Sequence, residues 1–192
     1  AEELFALGAD VITTGNHVWD QKEILNWIAD EPRVLRPLNL PAGAPGQGHI
    51  VVTTAQGHKV LVISPMGRLF METIDCPFAA VDAIVQAHPL GSAVQAPMID
   101  FHAEATSEKQ AMGHYVDGRA SLVVGTHTHT PSADTQILPG GTAYQTDAGM
   151  CGDYGGVIGF TPASPIARFT RKLPTERLSP MEGEATMCGV FV

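Results

Sequence analysis

Three short apolar runs in this chain each end abruptly in asparagine or histidine, and that recurrence constrains the fold more than any other feature. Val11–Thr14 leads into Gly15-Asn16-His17, Pro97–Phe101 into His102, and Ser121–Val124 into Gly125-Thr126-His127-Thr128-His129. Apolar runs of four or five residues bounded by turn formers predict buried strands. In open α/β sheets the carboxyl ends of the strands form the edge where ligands bind. The pattern therefore predicts that polar side chains from distant parts of the chain meet on one edge. If the backbone stays extended through Gly125–His129, a period of two points His127 and His129 to the same side.

The segments between these runs predict helices and hairpins. Asp20 with Glu23 three residues on reads as a capping-box variant ahead of a helix whose apolar face carries Ile24, Leu25 and Ile28. Residues 37–48 are a loop dense in Pro and Gly, and Ile50–Thr54 with Val60–Ser64 form a hairpin. Asp75 is expected to cap a helix with Pro77 in its first turn, and Thr106 to cap another that Gly118 ends. From Thr135 the expectation is strand, turn at Pro139-Gly140-Gly141, strand, a Gly-rich stretch over 147–159, and two further strands within 167–192. Helices alternating with short apolar strands, followed by hairpins, predict one layered α/β domain with a mixed sheet over residues 1–192. Leu4, Leu7 and Gly8 read as the last turns of an amphipathic helix, and the chain opens without Met, so further sequence is expected upstream.

Composition narrows the partners. Hydrophobic residues are 44% and charged residues 16% of the chain, against a usual charged share of about 25%, which disfavours disordered and coiled-coil classes. The net charge of −9 repels a phosphate backbone, so broad nucleic-acid or anionic-membrane binding is not expected. A small anionic substrate then needs a local positive charge, and bound metal is one source. Cys76, Cys151 and Cys188 are odd in number and far apart with no C-x-x-C pair, which suggests neither a disulfide framework nor a zinc knuckle and fits a cytoplasmic setting. No apolar run approaches the roughly 20 residues that span a bilayer.

Each motif alone has a bland reading. A Gly-Asn-His tripeptide is usually a turn, and a histidine after an apolar strand is usually a hydrogen-bonded core residue. The His-x-His pair has little packing value, and the joint pattern raises the odds for all of them. The order Gly15-Asn16-His17, His102, Gly125-Thr126-His127-Thr128-His129 resembles the second half of the calcineurin-like metallophosphoesterase pattern. The strings at 15–20, 100–109 (Asp-Phe-His-Ala-Glu-Ala-Thr-Ser-Glu-Lys) and 146–150 (Thr-Asp-Ala-Gly-Met) are similar to its YmdB-like branch of bacterial phosphodiesterases.

The resemblance implies an α/β/β/α sandwich and hydrolysis of phosphodiesters, with 2′,3′-cyclic nucleotides as the substrate class. It implies two divalent transition metals (Fe, Mn or Zn), with Asn16, His102 and His127 ligating one and His129 the other. His17 matches the catalytic histidine, and a homo-oligomer is expected. In that chemistry two cations about 3.5–4 Å apart clamp the phosphoryl oxygens and acidify a bridging water. The family's N-terminal Gly-Asp strand end, and a second strand end with an acidic residue beside Asn, are not in this sequence; they are expected upstream.

Glu104, Glu108 and Lys109 are expected to orient the His102 loop or to cap the next helix, and Glu104 alternatively to sit behind a ligating imidazole. Asp147 reads first as a turn former and second as a residue near substrate. Two other readings stand beside the phosphodiesterase. An amidohydrolase-type metal enzyme also uses His-x-His, but there the pair closes the first strand. A catalytically impaired relative would bind metal weakly and act through a protein surface.

Overall fold

The strand β5 (Ala96–His102) is the axis of the fold, and its side chains alternate strictly between a buried and a half-buried face. Pro97, Ile99 and Phe101 point into the core, while Met98, Asp100 and His102 point the other way. The computed structural model describes residues 1–172 and 177–192. Within them β5 is central to a six-stranded sheet. The other strands are β3 (His49–Thr53), β4 (Lys59–Ile63), β6 (Leu122–Thr126), β7 (Gln136–Ile137) and β8 (Ala143–Gln145), in the order β3-β4-β5-β6-β8-β7.

The four inner strands β4, β5, β6 and β8 are parallel, and the edges β3 and β7 are antiparallel. The connections between the parallel neighbours β4, β5 and β6 are helices, as such crossovers require. They are α3 (Pro77–Ala87), between β4 and β5, and α4 (Thr106–Tyr115), between β5 and β6. Val81 and Val85 of α3 and Met112 of α4 pack on Leu61, Ile63, Ile99, Phe101 and Val123. On the opposite face Leu122, Val124 and Ala143 form a smaller cluster with Met98 and Val190.

A separate parallel pair, β1 (Ile12–Thr13) and β2 (Val34–Leu35), carries the first polar turn. Around it Val18, Ile28 and Val34 are buried together. The hydroxyl of Thr13 donates to Asp100 Oδ2 at 2.5 Å, which ties β1 to the second face of the large sheet. The expected α/β class with a mixed sheet is therefore present, and among the described residues no helix is long and apolar enough to cross a membrane.

Several local expectations need correction. The helix after Asp20 is only α2 (Ile24–Trp27); Asp20 caps nothing, because its carboxylate is held by His17 instead, and Leu25 is exposed while Ile28 is buried. The start positions of α3 and α4 are Cys76 and Ala105, one residue after Asp75 and one before Thr106, and neither makes a side-chain cap bond. The first residues do form a helix, α1 (Glu2–Ala6), but Leu4 and Leu7 are exposed and Phe5 makes the packing contact, under the Arg33 guanidinium. The two strands expected within 167–192 also give way to other structure. Residues 167–171 belong to α5 (Ala163–Arg171), residues 173–176 lie outside the described residues, and the remainder pairs only through single bridges such as Gly152 with Thr186. The sequence carries no signal for β2, since two residues are too few to show a period.

Phe101, fully buried between the helices and the sheet, measures how much the fold depends on this axis. Phe101→Ala should lower the unfolding free energy by about 3–5 kcal/mol, read from the denaturant midpoint.

Candidate active site

The three polar strand ends meet as the topology requires. His102 closes β5, Thr126 closes β6 directly opposite it, and His127 follows. Asn16 sits in the turn after β1. His102 Nε2 lies 2.8 Å from Asn16 Oδ1 and 3.2 Å from His127 Nδ1, with the two imidazoles edge to face. Gly15 makes this approach possible, because a Cβ at that position would overlap the His102 ring. The glycine of the Gly-Asn-His turn is thus a clearance residue.

Behind these atoms stands a second row of polar contacts. His102 Nδ1 is 3.0 Å from Thr126 Oγ1, and Thr126 Oγ1 donates to Asp100 Oδ1 at 2.8 Å. His127 Nε2 meets Glu104 Oε2 at 2.9 Å. Glu104 therefore sits behind His127 and not in a helix cap. Desolvation, with help from His127 and Lys109, pushes the His102 pKa down to about 4, so at neutral pH the ring is uncharged and can offer a lone pair. Desolvation also raises the Asp100 carboxyl, against the hydroxyl bonds from Thr13 and Thr126.

The His127–His129 segment departs from the extended geometry. β6 stops at Thr126, and His127 and His129 both take positive φ, 114° and 65°. A period of two therefore does not describe their directions. Such backbone is costly for residues other than glycine and persists only where surroundings hold it. Here the holder is Asp147. Its Oδ2 accepts the Thr128 amide at 3.0 Å and the Lys109 ammonium at 2.8 Å, and its Oδ1 accepts the Gly149 amide at 2.9 Å. Burial alone would raise the Asp147 carboxyl, but Lys109 and these amides outweigh it and hold the group below its usual range. The pair is almost wholly enclosed, with side-chain exposures of 1% and 2%. Asp147 is thus more than a turn former: it clamps the loop that presents both histidines. Gly125 permits the close pass beneath, since a Cβ there would strike the Thr146 carbonyl.

A cleft of about 630 Å³ opens over this cluster, with Asn16, His102 and His127 in its wall. His17 lines it too and is largely exposed, with Nδ1 held by Asp20 Oδ2 at 2.9 Å. His129 lies along the same cleft with Nδ1 3.2 Å from the Ile158 carbonyl. Ile158, Phe160 and Leu178 give the cleft an apolar side.

As donors for a cation, Asn16 Oδ1, His102 Nε2 and His127 Nδ1 converge at spacings close to those of ligands bound to one metal at about 2.0–2.2 Å. The third donor is an amide. Among the described residues no three His, Cys, Asp or Glu side chains are grouped to hold a metal by themselves. The chemistry of the convergent set fits one imidazole-rich transition-metal site. Asp100 and Thr126 lie outside the sequence-based expectations as site residues, while Asp20 and Lys109, expected as caps or loop-orienting residues, instead partner His17 and Asp147. Asp100 had a signal, since a carboxylate within an apolar strand must find partners. For Lys109 the sequence pointed to the loop but not to its partner, Asp147.

Lys109→Met leaves Asp147 buried without its cation and should cost about 3–5 kcal/mol of stability, measured by chemical denaturation. The depressed pKa of His102 has a definite sign. Between about 6.5, the ordinary value, and about 4, the unfolded chain binds a proton that the folded chain does not. His102 should therefore titrate by NMR near pH 4, and its contribution to stability should be lost as pH falls through this window and be flat above it.

Comparisons with known proteins identify the family. The family described as YmdB-like protein matches residues 1–192. A 2′,3′-cyclic-nucleotide 2′-phosphodiesterase of Bacillus subtilis (strain 168) is 49% identical over 191 residues, covering 98% of this chain and 70% of that protein. A crystal structure of a hypothetical protein from Thermus thermophilus superposes with a TM-score of 0.88 at 41% identity, over 96% of this chain and 70% of the other. A structure described as a novel phosphatase from Mycoplasma pneumoniae superposes with a TM-score of 0.85 at 34% identity, over 96% of this chain and 66% of the other. The chain thus spans about two thirds of the length of these relatives. With the match running the whole length of the sequence, this chain belongs to the YmdB-like family.

Proposed function

We propose that this chain forms the metal-binding and proton-donating part of a phosphodiesterase that opens 2′,3′-cyclic nucleotides. The observation that carries the reading is the convergence of Asn16, His102 and His127 beneath a cleft that His17 also lines. The 49% identity to a phosphodiesterase of that specificity supplies the substrate class. Asn16, His102 and His127 would hold one divalent transition metal, and His129 would donate to a second. Bound there, the metals would supply Lewis-acid polarisation of the phosphoryl group and acidify a water molecule.

The chain's own residues do the rest. Asp20 accepts from His17 Nδ1, so Nε2 is the nitrogen left to face the leaving oxygen, and it would hand over a proton from the doubly protonated ring. Water adds to phosphorus and gives up one proton to solvent, the bond from phosphorus to the 2′-oxygen breaks, and His17 passes its proton to that oxygen. Glu104 accepts from His127 Nε2 and leaves Nδ1 facing the donor cluster. The apolar side of the cleft, Ile158 and Phe160, is available to the base. The net charge of −9 makes the metals the main attraction for an anionic substrate. The reading extends to a cytoplasmic homo-oligomer, for which the three free cysteines and exposed apolar residues such as Phe169 and Phe191 are the support.

Hydrolysis of 2′,3′-cyclic AMP with Mn²⁺ added, run beside calorimetric Mn²⁺ binding, tests this. His17→Ala should lower kcat by about 10²–10⁴ while Mn²⁺ still binds, and His127→Ala should abolish both. Turnover that both variants leave intact would sink the assignment. Weak Mn²⁺ binding without turnover in the unsubstituted protein would favour the impaired, surface-acting relative.

A further inference from the structure

Asp100 does not line the cleft, yet it receives a bond from each of two segments that carry donors. Its Oδ2 accepts from Thr13, three residues before Asn16, and its Oδ1 accepts from Thr126, immediately before His127. Asp100 itself stands two residues before His102 on the same face of β5. One carboxylate thus links the three stretches of chain whose ends supply Asn16, His102 and His127.

The direction of the protons follows from counting them. A threonine hydroxyl has one hydrogen, and that of Thr126 goes to Asp100. His102 Nδ1, 3.0 Å from the same oxygen, must then be the donor to it. The remaining nitrogen, Nε2, carries a lone pair, and it faces Asn16 Oδ1 and His127 Nδ1. His127 gives its own hydrogen to Glu104 through Nε2, so its Nδ1 also presents a lone pair. Three acceptors aimed at one another suit a cation, which would take a lone pair from each.

We propose that Asp100 is a positioning residue that fixes His102 as the Nδ1–H tautomer through Thr126, and so keeps Nε2 open for a cation. Through Thr13 it also holds the turn bearing Asn16 against His102. Losing Asp100 frees the Thr126 proton to turn toward His102 Nδ1, which moves the imidazole hydrogen to Nε2 and blocks the donor cluster. The cation role rests on the metal reading proposed above; the tautomer does not.

Long-range ¹H–¹⁵N NMR of the metal-free full chain reads the tautomer directly, and Mn²⁺ calorimetry reads the consequence. The unsubstituted protein should show His102 protonated at Nδ1. Asp100→Ala and Thr126→Val should make Nε2–H the major form and weaken Mn²⁺ binding by about 10–100-fold. Thr126→Ser, which restores the hydroxyl, should keep the original tautomer and bind within about threefold of the parent, short of that range. A general loss of packing would not show this split between serine and valine. An Nε2–H tautomer in the unsubstituted protein overturns the proposal, as does an unchanged tautomer in Asp100→Ala. If Asp100→Ala does not fold, the parent spectrum and the Thr126 pair decide. If the parent binds no Mn²⁺, the metal reading fails while the tautomer still decides the role of Asp100.

Discussion

The parallel pairing of β5 with β6, in the register that sets His102 opposite Thr126, is the constraint on which the rest of the site depends. Parallel neighbours must both run toward the same edge, so their ends arrive together and their last residues become neighbours across the ladder. A slip of one residue would turn Asp100 and His102 into the core and expose Ile99 and Phe101. The register is protected by that cost, since Ile99 and Phe101 are fully buried under α3 and α4. Hydrophobic packing on one face of the sheet therefore fixes polar geometry on the other.

The polar side is organised by two carboxylates with different tasks. Asp147 is enclosed with Lys109 and holds a loop in which two histidines take positive φ. Removing either member would leave a buried charge unmatched, which is why such pairs are stiff even where they add little net stability. Asp100 carries no cation of its own and is satisfied by two hydroxyl groups. It transmits order through hydrogen-bond direction, while Asp147 transmits it through backbone position. Both lie one layer behind the side chains that face the cleft.

The donors at the point of convergence are an amide and two imidazoles, and burial keeps His102 uncharged at physiological pH. Neutral imidazole and amide donors suit transition metals and tolerate close mutual approach, which three carboxylates at these spacings would not. Charge enters only at the rim, where Asp20 meets His17 and Glu104 meets His127. In the proposed reading, proton transfer and cation binding would occupy neighbouring atoms.

Much of this was legible in the sequence. The period-two alternation of 96–102, the helices over 77–87 and 106–115, and the strand ends bearing Asn16, His102 and His127 all follow from local patterns of apolar and polar residues. Local pattern also names His17 and His129 as members of the same edge. It could not foresee that Asp20 would turn from capping a helix to holding His17, or that 167–171 would be helical where strand was expected. The partnerships of Lys109 with Asp147, and of Asp100 with Thr13 and Thr126, span 38, 87 and 26 residues. Sequence determined which residue types end each strand, because burial and periodicity are local. Tertiary structure alone decided which of them touch and where each proton points, because hydrogen-bond direction is set by partners that only the folded register brings within reach.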